Sequence, residues 1–131
     1  MDWLDRFKRA IDYIEDNLDK KIEYSSLASA ACCSEFHFSR MFSSLTGISL
    51  SEYIRRRRLT KAGFDIRTSN EKIIDIALKY GYDSSDAFTR AFKKLHGITP
   101  NAARENSVNL KVYPRISFQI TVKGDVEMEY R

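Results

Sequence analysis

A mainly α fold is predicted for this chain: seven helices forming two helix-turn-helix lobes joined by a long linker helix, with a short C-terminal β-hairpin tail. Three observations predict it. Apolar residues recur at steps of three and four over long stretches before residue 106, the period of one helix face. Capping residues stand at the starts of those stretches. A helix-turn-helix segment also occurs twice.

Asp2 is placed to cap a first helix, in which Trp3, Phe7, Ala10, Ile11, Ile14 and Leu18 share one face. The polar break Asp19-Lys20-Lys21 ends it, and a short second helix from about Tyr24 to Ala31 carries Leu27, Ala28 and Ala31 at helical spacing. Ser34 caps a third helix with Phe38, Met41, Phe42 and Leu45 on its inner face, and Gly47 closes it. Phe36, Ser39, Arg40 and Ser43 lie on its opposite face. Ser49 and Glu52 have capping-box spacing and open the longest helix, which holds Leu50, Tyr53, Ile54, Leu59 and Ala62 and runs to about Ile66.

Asn70 is read as the cap of a fifth helix with Ile73, Ile76, Ala77 and Tyr80, ending at Gly81. Ser84 opens a sixth helix, and Thr99 followed by Pro100 starts a short seventh through about Glu105. From Val112 the period changes to two. Ile116, Phe118, Ile120 and Val122 alternate with polar residues, and Lys123-Gly124-Asp125 turns toward Val126, Met128 and Tyr130, the pattern of a hairpin.

Composition narrows the function by exclusion. With 131 residues and 43% hydrophobic side chains, the chain suits one or two small lobes. A formal charge of +4 favours an anionic partner only mildly, so the placement of charge decides more than its total. Cys32 and Cys33 are adjacent, which suits neither a disulfide nor a spaced zinc site, and a reduced, cytoplasmic setting is expected. No signal peptide or membrane span is read in the sequence. His37 and His96 lack partners at metal-ligand spacing, so packing and not metal binding is expected of them. No phosphate loop, catalytic carboxylate pair or nucleophile with its base can be assembled, and neither an enzyme nor a cofactor is expected.

The repeat is the most specific feature. Residues 34–48 and 84–98 share Ser34/Ser84, Phe38/Phe88, Arg40/Arg90, Phe42/Phe92, Leu45/Leu95, Gly47/Gly97 and Ile48/Ile98, where about one identity would arise by chance. Leu27-Ala28 matches Ile76-Ala77 after a shift of one residue, so the helix before the turn recurs as well. The connector from Leu50 to about Ile66 would be roughly 25 Å long, against roughly 34 Å between successive major-groove faces. In a helix-turn-helix unit the second helix turns its outer face to the DNA groove, so DNA bound to both units is expected to curve, or to be held by one unit more than the other.

The chain resembles the AraC/XylS family of bacterial transcription regulators over about residues 1 to 106. The resemblance is carried by Leu27-Ala28, Phe38-Ser39-Arg40-Met41-Phe42, Gly47-Ile48-Ser49, Tyr53 to Leu59 with Ala62, and Ile76-Ala77 through Gly81-Tyr82. Its strongest part is Phe88-Thr89-Arg90-Ala91-Phe92-Lys93-Lys94 followed by Gly97-Ile98-Thr99-Pro100. It implies an AraC-type DNA-binding domain at 1–106, with lobe one at about 1–48, the linker helix at about 50–66 and lobe two at about 70–106. Recognition helices at about 35–46 and 85–96 would enter double-stranded DNA. The family also implies RNA polymerase as a partner. The tail, 107–131, looks like the opening of a GyrI-like effector domain.

Positions matching the family's base-reading residues are Phe36, Ser39 and Arg40, then Ser85, Asp86, Thr89 and Arg90. Ser43 extends the first outward face, while Lys93 and Lys94 could touch flanking phosphates or be ordinary surface lysines. Arg40 and Arg90 are expected to grip guanine or phosphate. Asp86 either caps its helix or accepts from cytosine. The run Arg55 to Arg58 is expected to be mostly solvated or paired with local carboxylates. Two other readings remain open: a fragment of a ligand-sensing regulator, and the DNA-targeting module of a repair protein, although the zinc ligands of that chemistry are missing. The apolar face of the hairpin predicts self-association through the tail.

Overall fold

The structure, a computed structural model, describes residues 2–118. Seven helices run in order: α1 (Trp3–Asp16), α2 (Tyr24–Ala30), α3 (Glu35–Thr46), α4 (Leu50–Thr68), α5 (Ile73–Lys79), α6 (Ser85–His96) and α7 (Pro100–Glu105). Five begin at a side-chain cap: Asp2, Ser34, Ser49, Ser84 and Thr99 each accept from a backbone N–H three residues ahead. Asn70 does not cap α5, whose N-cap is Lys72 with no side-chain bond. Its neighbour Ser69 closes α4, its Oγ–H donating to Asp65 O at 2.6 Å, and the same Oγ accepts from Glu71 N–H at 3.3 Å. No strand occurs among the described residues, and no helix is long and apolar enough to cross a membrane. Most of the expected hairpin, residues 119–131, lies outside the described residues.

Two apolar cores share α4. Phe7, Ile11, Ile14, Leu27, Phe38 and Phe42 pack with Leu50, Tyr53 and Ile54 in the first. Ile76, Ala77, Tyr80, Phe88, Phe92 and Leu95 pack with Leu59, Ala62 and Ile66 in the second. The cores part between Ile54 and Leu59, where the four consecutive arginines stand. Each fully buried phenylalanine contributes about 1.5–3 kcal/mol by leaving water, which makes these rings the main support of their lobes.

The repeat does not make the lobes identical. Leu45, expected inside, is 49% exposed, whereas its counterpart Leu95 is 6% exposed. Each lobe closes its core with a different outer helix: α1 lies on α2 in the first, and α7 lies on α4 and α6 in the second. Trp3 is likewise half exposed at the start of α1.

The arginine run divides its work. Arg55 and Arg56 bind the local Glu52 at 2.7 and 2.8 Å, as expected. The hydrogen bond from Arg55, opposed by burial and aided by Arg56, holds the Glu52 pKa down at about 2. Arg57 and Arg58 depart from expectation by reaching lobe one. Arg57 makes a two-pronged pair with Glu15 at 2.9 and 2.7 Å, and Arg58 donates to the carbonyls of Leu18 and Lys20 at 2.9 and 2.6 Å. Successive residues on a helix point about 100° apart, which lets one short run face several neighbours.

His96 packs inside lobe two, 7% exposed, with its ring 4.3 Å from that of Phe92. Lys111 N–H donates to Nδ1 at 3.1 Å, leaving Nε2 to donate to Leu59 O at 3.0 Å. That arrangement requires the neutral imidazole. Burial lowers the His96 pKa below its ordinary 6.5, with a smaller opposing effect from Leu59. The unfolded chain takes up a proton near pH 6.5 and the folded chain resists it, so stability is full above 6.5 and falls as pH drops toward the folded-state pKa. Urea melts between pH 7.5 and 5 should show this loss above the range where carboxylates titrate. His96→Gln, which can still accept and donate, should flatten it; an unchanged profile would remove His96 as its source.

Candidate nucleic-acid interface

The turn that sets each outward helix follows from one backbone device. In lobe two, Gly81 takes φ 89° and Tyr82 N–H returns to Ala77 O at 2.9 Å. In lobe one the same place is held by Cys32 at φ 56°, with Cys33 N–H bonded to Ala28 O at 3.1 Å. A left-handed residue at this point reverses the chain over two or three residues and throws the next helix across the first. Phe38 and Phe42, or Phe88 and Phe92, then face the core, leaving the opposite side of α3 and α6 free.

On that free side of α3, Phe36 is 70% exposed, Arg40 and Ser43 are exposed, and Ser39 is half-buried. The Arg40 guanidinium lies over the Phe36 ring at 5.4 Å, a cation–π contact that limits its wandering. His37, expected to pack in a core, is instead exposed, because its place on α3 falls outside the face of Phe38 and Phe42. With Ser44, which the sequence reading did not single out, it joins Phe36, Arg40 and Met41 around a shallow depression of about 380 Å³. Their outward position was readable from the same helical period. On α6, Asp86, Arg90, Lys93 and Lys94 are exposed while Ser85 and Thr89 are half-buried. Asp86 sits in the first turn, where a carboxylate complements the helix dipole, but the cap itself is Ser84. No ion pair joins Asp86 to Arg90 among the described residues. No cluster of three metal-ligating side chains occurs there either, and both cysteines are free.

Two such units on one chain, each presenting a second helix with a polar and basic outer face, define a paired helix-turn-helix protein. A family described as "Helix-turn-helix domain" matches residues 27–106. The Transposon Tn10 TetD protein of Escherichia coli is 41% identical over 101 residues, covering 77% of this chain and 73% of TetD. The transcriptional regulator Rob of Salmonella typhimurium is 41% identical over 95 residues, which are 72% of this chain but 33% of Rob. Among solved structures, the DNA-binding domain of the global transcriptional factor AdpA, in complex with a target DNA, matches at TM-score 0.69 and 26% identity, covering 77% of this chain and 91% of that one. The chain belongs to the AraC/XylS family of sequence-specific, DNA-binding transcription regulators, a family of regulators and not of enzymes.

Proposed function

We propose that one copy of this chain binds double-stranded DNA by placing α3 and α6 in successive major grooves, within a domain spanning residues 1–106. The observation that carries the reading is the repeated outward face, with Arg40 and Arg90 exposed at equivalent points of two units that each turn at a left-handed residue. Phe36, Ser39 and Arg40 read bases from lobe one; Ser85, Asp86, Thr89 and Arg90 do so from lobe two; Ser43, Lys93 and Lys94 serve the flanks and phosphates. Affinity then comes largely from phosphate neutralisation and specificity from the two short faces. The 19-residue α4 is about 28 Å long, so the DNA curves toward the lobes to meet both heads.

We read the chain as part of a cytoplasmic bacterial regulator acting on RNA polymerase, a reading that family membership supports. Pairing of two copies through the tail rests on the alternation of apolar residues after Val112, whereas a GyrI-like, ligand-sensing role for the tail rests on its resemblance to such domains alone. The helical lobe takes part of that apolar face for itself, since Ile116 and Phe118 pack on the first core.

Hydroxyl-radical footprinting on a duplex selected from random oligonucleotides should reveal a non-palindromic site. One chain should protect two patches about 10 base pairs apart. An inverted repeat that requires two chains would contradict the two-headed reading.

A further inference from the structure

After α7 the chain turns back along α4 and touches both cores. Leu110 and Tyr113 pack on the second, Ile116 and Phe118 on the first, and the Phe118 ring meets Phe7 edge-on at 5.1 Å. This segment has no regular structure of its own, and much of its backbone bonding is supplied by side chains of the helices. Tyr113 N–H donates to Thr60 Oγ1 at 3.0 Å and Ile116 N–H to Tyr53 Oη at 3.2 Å. Arg57 donates to Tyr113 O at 2.7 Å, and Arg67 donates to the carbonyls of Ala103, Asn106 and Val108. Gly63 permits the approach: a Cβ there would stand 3.0 Å from Leu110 Cδ1.

We propose that residues 108–118 form a strap across the seam between the lobes that fixes the distance and rotation between α3 and α6, and thereby selects which separation of two DNA patches one chain can bind. The inference rests on the two-headed reading above. Without the strap, the lobes are joined by α4 and by the Arg57 and Arg58 ties at the same seam. One added base pair moves the far patch by about 3.4 Å and turns it by about 35°, which rigidly held heads cannot follow and loosely held heads can. Spacing preference therefore reports the stiffness of the join.

The test measures binding of the full chain to its selected duplex, to versions with one or two base pairs inserted or removed between the patches, and to a duplex keeping one patch. The strap is loosened in the full chain by L110G/Y113G/I116G/F118G and, more mildly, by Arg67→Gln at an exposed side chain. The native chain should lose about tenfold in affinity per base pair of altered spacing, because the second contact no longer benefits from the effective concentration set by the first. The loosened chains should bind the one-patch duplex as the native chain does, bind the native spacing more weakly, and show a flatter preference. Spin labels at Ser29→Cys and Asp75→Cys, in a Cys32→Ser, Cys33→Ser background, should show a broader interlobe distance after Arg67→Gln.

Should the fourfold variant fail to fold, Arg67→Gln and the label distances decide. Unchanged spacing preference together with an unchanged distance distribution overturns the strap while the native chain still discriminates sharply. A native chain that protects a single patch instead removes the two-headed reading, and the strap with it.

Discussion

Replacing Arg57 by alanine is expected to lower folding stability by about 3–5 kcal/mol, the loss associated with stranding one member of a buried ion pair. Glu15 and Arg57 have side chains only 7% and 12% exposed, and they meet through two hydrogen bonds. Burial by itself would raise the Glu15 pKa, but the bonds from Arg57 and Tyr53 outweigh it and hold the group ionised, below the ordinary 4.5. Removing Arg57 leaves that carboxylate with the Tyr53 hydroxyl alone, at 2.8 Å, and also frees the carbonyl of Tyr113. The melting temperature should fall by roughly 10–20 °C. Removing Glu15 as well should restore part of the loss, because the stranded charge goes with it. The exposed pair Lys21–Glu23, at 3.4 Å, supplies the contrast, since breaking it should change stability by less than about 1 kcal/mol. A similarly small change in Arg57→Ala would show that water reaches Glu15 freely.

Arg40→Ala should weaken binding to the selected site by about 1–3 kcal/mol, roughly 5- to 150-fold, while leaving random DNA much less affected. Arg90→Ala should do the same to a smaller extent. Neither side chain enters a core, so both variants should fold, and melting curves would confirm it. The ranking follows from the partner of each guanidinium. Arg40 is held over the Phe36 ring at 5.4 Å, which reduces the freedom lost on meeting a base. Arg90 has Asp86 at the place equivalent to Phe36, offering no ring. Binding across a salt series separates the roles, because an arginine that serves only phosphate weakens all sequences alike and lowers the salt slope by about one unit. Equal losses on specific and random DNA in both variants would end the proposal that these residues read bases.

What could be read from the sequence was what neighbours in sequence decide. The caps at Ser34, Ser49, Ser84 and Thr99 need only a hydroxyl three residues before an N–H, and the exposed side of α3 needs only its 3.6-residue period. Asn70 is a capping residue type that here caps nothing, since the N-cap of α5 comes two residues later, at Lys72. The partners of Arg57 and Arg58 were hidden for a different reason. Glu15 and Leu18 lie some forty residues earlier, and nothing in a run of four arginines marks which of them turns inward. Leu45 was misplaced because the repeat reports the motif but not the outer helix that closes each lobe. The path of residues 108–118 was invisible, since a segment without periodicity takes its shape from the groove it fills.

The parting of the two cores inside one helix has a thermodynamic consequence. Neither half of α4 shares buried apolar neighbours with the other, so opening one lobe need not expose the apolar surface of its twin. Such a chain has the makings of two foldons whose cooperativity is a nearest-neighbour coupling, as in a repeat protein of two units, and not the product of a continuous interior. Amide exchange would then sort into two classes of protected hydrogens, those of Ile11, Phe38 and Phe42 exchanging together and those of Ile76, Phe88 and Phe92 together. The amides of Arg55 to Arg58, helical but flanked by neither core alone, would report the strength of the coupling itself.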